Sequence, residues 1–314
     1  MRSIFYILYL LLIYINVLNS KRKSTIPSKA YKLHYGKILQ PLSRTPMTVT
    51  DVNFHVVVPK YKLHSCLLGK NFSTMMSSIF CYLFNPKLFQ SKNDHLKDNY
   101  WKKNVCRFKN NEHHLGPIIR KFNGNRSKDF RNDWKHLLIV RNPVDRFISA
   151  YIHLCINLKK KSEAKRACFG CKDGIKCVLN NIYYRMNAYV SKRTPIDHYL
   201  TYHFLPQTWQ CHYSQFKKVY TIIKYDQSNL DLFYRNISNV LLRQNVPESF
   251  ISFIDKEMRS TRTHHTTSNS MNVVLLRNYI TQNEYARKML ALIYFNDFKE
   301  FGYEFPLYSN NSVS

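Results

Sequence analysis

The segment Leu137–Cys155, LLIVRNPVDRFISAYIHLC, predicts a buried β-strand that runs directly into an α-helix. Its first four residues form a continuous apolar run, as expected of a parallel strand covered on both faces. Asn142 suits the N-cap of a helix, and Pro143 suits the first helical position because its missing N–H is not needed there. Apolar residues then recur at helical spacing, at Val144, Phe147, Ile148, Tyr151, Ile152 and Cys155. This strand and helix predict an open α/β fold.

Two side chains at this junction predict an anion-binding site. Arg141 lies at the carboxyl end of the strand, where open α/β folds bind ligands, and Ser149 lies two turns into the helix. A guanidinium offers a planar fork of donors that matches phosphate, and a hydroxyl adds a neutral donor. The alternative is that Arg141 merely pairs with Asp145 in the first turn of the helix, and spacing alone does not decide between the two.

A second strand, turn and helix precede this segment. The strand Leu63–Leu68 leads into a glycine-containing turn that carries Lys70, Ser73 and Thr74. Backbone N–H groups, a lysine and hydroxyls at a helix N-terminus are what cradle a phosphate, although the pattern also fits a plain loop. The GxxxxGK[ST] spacing of a Walker A motif is missing, so the pattern does not support a P-loop kinase.

Other segments predict further elements. We expect a long polar stretch of unassigned structure at Gln90–Asp133, strands at Phe54–Val58 and Val219–Lys224, and helices at Leu230–Leu242 and Val273–Phe295.

The charge of the chain predicts a polyanionic partner. The 314 residues are 45% hydrophobic, enough for a sizeable core, and carry a formal net charge of +29. Nucleic acid, an anionic membrane or an acidic polysaccharide would each match that charge. The basic residues are spread along the chain, without a zinc-finger, helix-turn-helix or RRM signature, so we expect no nucleic-acid partner.

The N-terminus predicts entry into the secretory pathway. Ile4–Leu18 is almost entirely apolar, so residues 1–20 are interpreted as a signal-anchor or a signal peptide. No small-x-small cleavage site is evident, which favours an uncleaved anchor and a type II membrane protein; a cleaved segment would give a secreted one. Residues 21–50 are interpreted as a stem, 51–306 as a single luminal domain and 307–314 as a tail.

Eight cysteines in such a chain favour disulfides. Four of them cluster at Cys155, Cys168, Cys171 and Cys177, where zinc is the alternative. A second CxxC pair is absent, so we expect disulfides and no metal, while spacing does not reveal the pairing.

Beyond these patterns, the motif Arg141-Asn-Pro-x-x-Arg146-Phe-x-Ser149 resembles the 3′-phosphate motif of the membrane-bound carbohydrate sulfotransferases of the chondroitin, dermatan and HNK-1 branch. The resemblance extends over about residues 62–303. It implies a P-loop-like three-layer fold with a central parallel sheet. It also implies that Arg141 and Ser149 hold the 3′-phosphate of the sulfate donor PAPS.

The turn with Lys70, Ser73 and Thr74 is similar to the 5′-phosphosulfate loop of that family, PKxxCTN. A glycine and a methionine replace the proline and the asparagine of the motif, so Pro59-Lys60 remains a second candidate for this loop.

The resemblance implies transfer of a sulfuryl group from PAPS to a sugar hydroxyl. Lys70 would stabilise the leaving oxygen, and His203, in a segment that looks like a diverged HWxxxxxLC motif, would be the general base. PAPS carries its own leaving group, so no metal is required. The implied acceptor is an acidic, chondroitin-like polysaccharide sulfated at a 4-hydroxyl in the Golgi during chondroitin sulfate proteoglycan biosynthesis. The alternative is a catalytically inactive relative that only binds glycosaminoglycan.

Overall fold

The computed structural model of the chain describes residues 31–32, 38–42, 53–100, 103–158, 161–171, 174–191, 200–260 and 271–306. The predicted anchor, the predicted tail and most of the predicted stem lie outside these ranges. Within them, no helix combines the length and the apolar character needed to cross a membrane.

A five-stranded mixed sheet forms the centre of the fold. The strands are β1 (Tyr31–Lys32), β2 (Ile38–Leu39), β3 (Phe54–Val58), β4 (Leu63–Leu67), β5 (Asn111–Glu112), β6 (Lys135–Arg141) and β7 (Tyr220–Tyr225). The central sheet has the order β5-β3-β4-β6-β7, and β1 and β2 pair separately. Strands β4, β6 and β7 are parallel, whereas β3 is antiparallel to both of its neighbours. The α/β fold with a parallel core is therefore confirmed, with two antiparallel strands added at one edge.

Helices cover the sheet and fill the connections. They are α1 (Ser73–Phe84), α2 (Pro86–Gln90), α3 (Leu115–Asn123), α4 (Ser127–Asp133), α5 (Pro143–Tyr151), α6 (Lys161–Ala167), α7 (Ile175–Val190), α8 (Tyr213–Phe216), α9 (Leu230–Arg243), α10 (Glu248–Ser260), α11 (Met271–Gln282), α12 (Glu284–Ile293) and α13 (Phe295–Phe301). Single turns of 3₁₀-helix occupy Pro59–Tyr61, Leu96–Asp98 and Gln207–Trp209, and π-helical turns occupy Ile152–Ile156 and Leu200–Phe204.

Strand β6 is buried on both faces, as its apolar run predicts. Leu137 and Ile139 pack into the core that contains α1, α9 and α10. Leu138 and Val140 point to the opposite face, into a cluster that reaches α13. Helices α5, α7 and α12 form a further core with α13. The helices on the two faces and the sheet between them make the three layers.

The predicted helix at Val273–Phe295 is wrong in its extent. The chain divides there into α11, α12 and the start of α13. Asn283 ends the first of these helices and caps the second, because its side chain accepts a hydrogen bond from the Ala286 N–H. An asparagine favours a cap over a helix interior, and this local preference overrides the apolar periodicity.

All eight cysteines form disulfides, which confirms that prediction and leaves the zinc alternative without thiolate ligands. The pairs are Cys66–Cys211, Cys81–Cys106, Cys155–Cys168 and Cys171–Cys177. The first pair joins β4 to the segment before β7 across 145 residues, so it holds the centre of the sheet to a distant connection.

Candidate active site

Two loops meet at the carboxyl edge of the parallel strands. Because β4 and β6 are neighbours and parallel, the loop after β4 and the end of β6 lie side by side. The Arg141 guanidinium donates to the carbonyl oxygen of Lys70 (3.1 Å) and to Oε1 of Gln227 (2.8 Å). It also lies over the ring of Tyr225, 5.1 Å from its centroid. The structure thus brings Arg141 and the Lys70 loop together.

Asp145 forms an ion pair with Arg277 of α11 (Nη2 to Oδ1, 2.7 Å). The simpler alternative, in which Arg141 serves only to pair with Asp145, is therefore not the arrangement of the folded chain. Arg141 is only 6% exposed, and its Nε is a buried donor with no partner in the part of the chain that the structure describes. A buried, unpaired donor is costly, so this atom fits an anionic ligand.

The side chain of Lys70 lies in a strongly cationic environment. Burial, followed by the nearby charges of Arg141 and Arg146, lowers the pKa of Lys70 to about 7. Each of these causes disfavours the charged form of the amine. A bound anion would reverse that preference, so the site is prepared for a phosphate or a phosphosulfate.

The N-terminus of α1 adds backbone donors beside Lys70. Its N-cap residue, Phe72, has left-handed backbone geometry and gives no side-chain cap. Ser73 and Thr74 are the first two residues of this twelve-residue helix. The first-turn N–H groups of a helix without a side-chain cap, together with the helix dipole, favour an anion at this end.

Arg146 ties the Lys70 loop to the segment that contains His203. Its guanidinium donates to the carbonyl oxygens of Gly69 (3.0 Å), Leu205 (2.7 Å) and Tyr202 (3.3 Å). Its side chain is almost completely buried. The motif around Arg141 includes Arg146 without a role, whereas the structure makes this residue the link between the two candidate catalytic segments.

Gly69 is required by a close approach of the backbone. A Cβ atom at this position would lie 2.3 Å from the carbonyl oxygen of Tyr202. We expect Gly69→Ala to lower the free energy of unfolding by about 1–3 kcal/mol, since the backbone of the opposing segment must move. We also expect this substitution to weaken binding of 3′,5′-ADP, the nucleotide that remains when PAPS gives up its sulfuryl group.

Urea unfolding and calorimetric titration with 3′,5′-ADP would measure both effects. Gly116→Ala in α3 is the matched control, because its Cβ would meet only the end of Arg120 at 3.6 Å. Alanine is the better helix former, but Pro117 follows this position and disfavours helical geometry for a residue with a Cβ atom, so the control should change the free energy of unfolding by no more than about 1 kcal/mol. An unchanged Gly69→Ala protein would contradict the steric argument.

Ser149 and His203 complete the predicted set. Ser149 is buried on α5, three residues beyond Arg146. His203 lies half-buried in the second π-helical turn, with its ring stacked on that of His153 at a centroid distance of 5.7 Å. The roles of both residues stay predictions.

A buried network that the sequence did not predict supports both loops. Oε1 of Gln207 accepts hydrogen bonds from the Asn71 amide (2.6 Å) and the Arg141 N–H (2.9 Å), while its Nε2 donates to the Arg141 carbonyl oxygen (2.9 Å). Asp297 in turn accepts from the N–H groups of Gln207 (2.7 Å) and Thr208 (2.9 Å). These residues come from four distant stretches of the chain, and no local pattern indicated that they meet.

The second candidate loop, Pro59-Lys60, lies at the opposite end of the strands from Arg141. It occupies the turn between β3 and β4, and β6 begins beside it, where the Lys135 N–H donates to the Lys62 carbonyl oxygen (2.8 Å). Arg141 lies at the far end of β6, about 20 Å away at 3.3 Å per residue. Only the Lys70 loop adjoins Arg141.

Comparison with known proteins gives a family match over most of the chain. The profile of the Sulfotransferase family matches residues 55–304. The carbohydrate sulfotransferase chst-1 of Caenorhabditis elegans is 29% identical over 259 residues, 81% of this chain and 77% of that protein. The putative sulfotransferase vep-2 of the same organism is 29% identical over 68% of this chain and 64% of its own. An uncharacterized protein of that organism is 27% identical over 80% of this chain and 69% of its own. No solved structure matches the chain at a significant level.

Proposed function

Since this chain belongs to the sulfotransferase family, we propose that it transfers the sulfuryl group of PAPS to a hydroxyl of an acidic, chondroitin-like polysaccharide. The observation that carries the proposal is the hydrogen bond from Arg141 to the Lys70 carbonyl oxygen. It joins the two loops that would hold the two ends of one nucleotide.

The described residues fit PAPS as a substrate. Arg141 and Ser149 would hold the 3′-phosphate, with the unpaired Nε of Arg141 available as a donor. Lys70, Ser73 and Thr74 would hold the 5′-phosphosulfate, together with the N–H groups that open α1.

The transfer requires a group that stabilises the leaving oxygen and a base that accepts the proton of the hydroxyl. The sugar hydroxyl oxygen forms a bond to sulfur, and the bond between sulfur and the 5′-phosphate oxygen breaks. Lys70 would stabilise the charge that develops on the departing oxygen, as cationic groups do in phosphoryl transfer. His203 would accept the proton of the attacking hydroxyl.

Two observations support the choice of acceptor. The net charge of +29 suits a polyanion, and chst-1 is named a carbohydrate sulfotransferase. We extend this to chondroitin, to its 4-hydroxyl, and to a Golgi membrane protein held by residues 1–20, all as parts of the same proposal.

The test incubates the full-length chain with radiolabelled PAPS and a panel of desulfated chondroitin, dermatan and heparan chains. We expect label on chondroitin from the natural chain, and its loss in Lys70→Ala and Arg141→Ala. Lys256→Ala and Arg243→Ala, at exposed positions on α10 and α9, are the matched controls and should keep full transfer.

The other outcomes separate the alternatives. Label on a different polymer would correct the acceptor. Binding of 3′,5′-ADP without transfer to any acceptor would favour the inactive, glycosaminoglycan-binding relative. Failure to bind the nucleotide at all would refute the proposed activity.

A further inference from the structure

The end of helix α13 returns the chain to the central sheet and places a tyrosine there. Gly302 ends the helix in left-handed backbone geometry (φ +61°), which a residue without a Cβ atom adopts readily. The N–H of Tyr303 then donates to the carbonyl oxygen of Phe298 at 3.0 Å and closes the helix end. This turn brings the Tyr303 ring against β7, where Nζ of Lys224 lies 4.8 Å from the ring centroid.

The register of β7 relates this ring to Arg141. Lys224 pairs with Val140 on β6, and the next residue, Tyr225, pairs with Arg141 itself. The Tyr303 ring therefore lies close to the carboxyl end of β6, where the Arg141 guanidinium is found. Burial is the largest cause that lowers the pKa of Arg141, and the Tyr303 phenol is one of the neighbours that oppose this change. Both observations place the phenol beside the guanidinium.

Each of these two side chains carries a buried donor that has no acceptor among the residues that the structure describes. The donors are Nε of Arg141 and the hydroxyl of Tyr303. Burial raises the pKa of the phenol and nearby carboxylates raise it further, so the hydroxyl keeps its hydrogen at neutral pH. A buried donor without an acceptor is costly, so two of them at one place indicate a ligand that accepts from both. An anion is the ligand that also suits the charge of Arg141.

The two carboxylates that raise the pKa of the Tyr303 phenol most are engaged by other groups. Asp145 pairs with Arg277 at 2.7 Å. Oδ1 of Asp226 accepts from the N–H (2.9 Å) and the hydroxyl (2.7 Å) of Ser228. Neither carboxylate accepts a hydrogen bond from Tyr303. Their charges are partly compensated in this way, so they leave room for an anion beside the phenol.

We propose, building on the proposed function, that the Tyr303 hydroxyl is a further ligand of the 3′-phosphate of PAPS and donates to it together with Nε of Arg141. A phenol is a neutral donor, so it adds a directed hydrogen bond to this site without adding charge. The bond is made only to the 3′-phosphate. Tyr303 is therefore a specificity-determining residue, which favours PAPS over nucleotides that lack this group.

The test compares the affinities of the full-length chain for 3′,5′-ADP and for 5′-AMP, which lacks the 3′-phosphate, by isothermal titration calorimetry. In Tyr303→Phe we expect the affinity for 3′,5′-ADP to fall about tenfold, as is typical when one hydrogen bond to a charged acceptor is lost. The affinity for 5′-AMP should stay unchanged.

Tyr61→Phe is the matched control. The Tyr61 hydroxyl is also buried and also has no partner within the described ranges, but it lies in the turn between β3 and β4, at the opposite end of the strands from Arg141. This substitution should leave both affinities unchanged.

The stability of the free protein supplies a second readout. Removal of a buried hydroxyl without a partner relieves the cost of its desolvation, so Tyr303→Phe should resist urea at least as well as the natural chain. A hydroxyl with a structural role would give the opposite result. Addition of 3′,5′-ADP should stabilise Tyr303→Phe less than the natural chain, because stabilisation by a ligand follows its affinity.

The outcomes separate this proposal from the proposed function. Sulfate transfer by the natural chain, with an unchanged 3′,5′-ADP affinity in Tyr303→Phe, would overturn the role of Tyr303 and leave the transferase intact. An equal loss of affinity for both nucleotides, or a free variant that is less stable, would also overturn it in favour of a structural role. A selective loss for 3′,5′-ADP without any transfer by the natural chain would support the phosphate ligand and refute only the transfer.

Discussion

The affinity of the chain for 3′,5′-ADP is expected to fall as the pH rises from 7 to 9, by up to about fiftyfold. The reason is the environment of Lys70, in which burial and the charges of Arg141 and Arg146 lower the pKa to about 7. At pH 7 about half of the free protein carries the ammonium, and at pH 9 only about one molecule in a hundred does.

The direction of this change in affinity follows from the linkage between nucleotide binding and protonation of Lys70. A 5′-phosphate beside Lys70 favours the ammonium, so the pKa of Lys70 is higher in the complex than in the free protein. Binding above pH 7 must therefore take up a proton, and each further pH unit weakens it by up to about tenfold until the pKa of the complex is reached. The second ionisation of the phosphates is complete near pH 7, so it does not contribute to this loss.

Isothermal titration calorimetry at pH 7, 8 and 9, in buffers of different ionisation enthalpy, would measure both the affinity and the proton uptake. Lys70→Arg should give a nearly flat profile, because a guanidinium stays charged throughout this range. Lys256→Arg, on the exposed face of α10, should keep the profile of the natural chain. A flat profile in the natural chain, or an equally steep one in Lys70→Arg, would contradict the role of Lys70.

The sequence predicted the parts of this site that are local. An apolar run that ends in Arg141 and a helix that starts at Pro143 were both recognisable, because strand burial and helix capping depend on neighbouring residues. The Asn142 side chain does accept a hydrogen bond from the Val144 N–H, as its N-cap position predicts. The adjacency of the two loops followed from the family resemblance and from the parallel order of β4 and β6.

The parts that the sequence did not predict depend on contacts between distant segments. Arg146 contacts three carbonyl groups on two other loops, and nothing in its own helix indicates them. The same holds for Gln207 and Asp297, which are 90 residues apart. Helix α3 was missed although Leu115, Ile118, Ile119 and Phe122 recur at helical spacing, because the surrounding segment was interpreted as one polar stretch. Helix α4 is short and buries a single residue, Phe130, so it shows little apolar periodicity. The 4-hydroxyl of chondroitin and the membrane anchor stay proposals.

Three histidines inside the sheet predict that the folded chain loses stability in mild acid. His55, His64 and His136 lie on the adjacent strands β3, β4 and β6, and all three are completely buried. His55 Nδ1 is 3.0 Å from His64 Nε2, and His64 Nδ1 is 2.8 Å from His136 Nδ1. No cation or metal role is needed to explain them, since each ring serves as a hydrogen-bond partner of the next.

Two carbonyl oxygens beside His136 determine which ring nitrogen of each histidine carries the hydrogen. His136 Nε2 lies 3.0 Å from the Phe130 carbonyl oxygen, which only accepts, so this nitrogen carries a hydrogen. His136 Nδ1 is then the acceptor for the His64 Nδ1–H, and His64 Nε2 is the acceptor for the His55 Nδ1–H. This arrangement keeps His64 and His136 neutral, and an added proton on either ring would place a charge in the core.

Burial is the largest cause that lowers the pKa of His64, and it lowers that of His136 to about 4. In the unfolded chain a histidine has a pKa near 6.5, so the unfolded state binds more protons between about pH 6.5 and pH 4. The contribution of these neutral histidines to the free energy of unfolding is therefore complete above pH 6.5 and is lost as the pH falls toward 4. For His136 alone the loss amounts to about 3 kcal/mol over that interval.

Urea unfolding with intact disulfides at pH 7, 6, 5 and 4 would measure this loss. His136→Phe keeps the ring contacts but removes one titrating group, so it should be less stable at pH 7 by about 1–3 kcal/mol. Its dependence on pH should be shallower by up to about 1.4 kcal/mol per pH unit, so the difference from the natural chain narrows or reverses near pH 4. His114→Phe should keep the natural slope, because that side chain is exposed. Parallel curves for His136→Phe and the natural chain would show that acid acts on other groups, such as carboxylates, and not on the buried histidines.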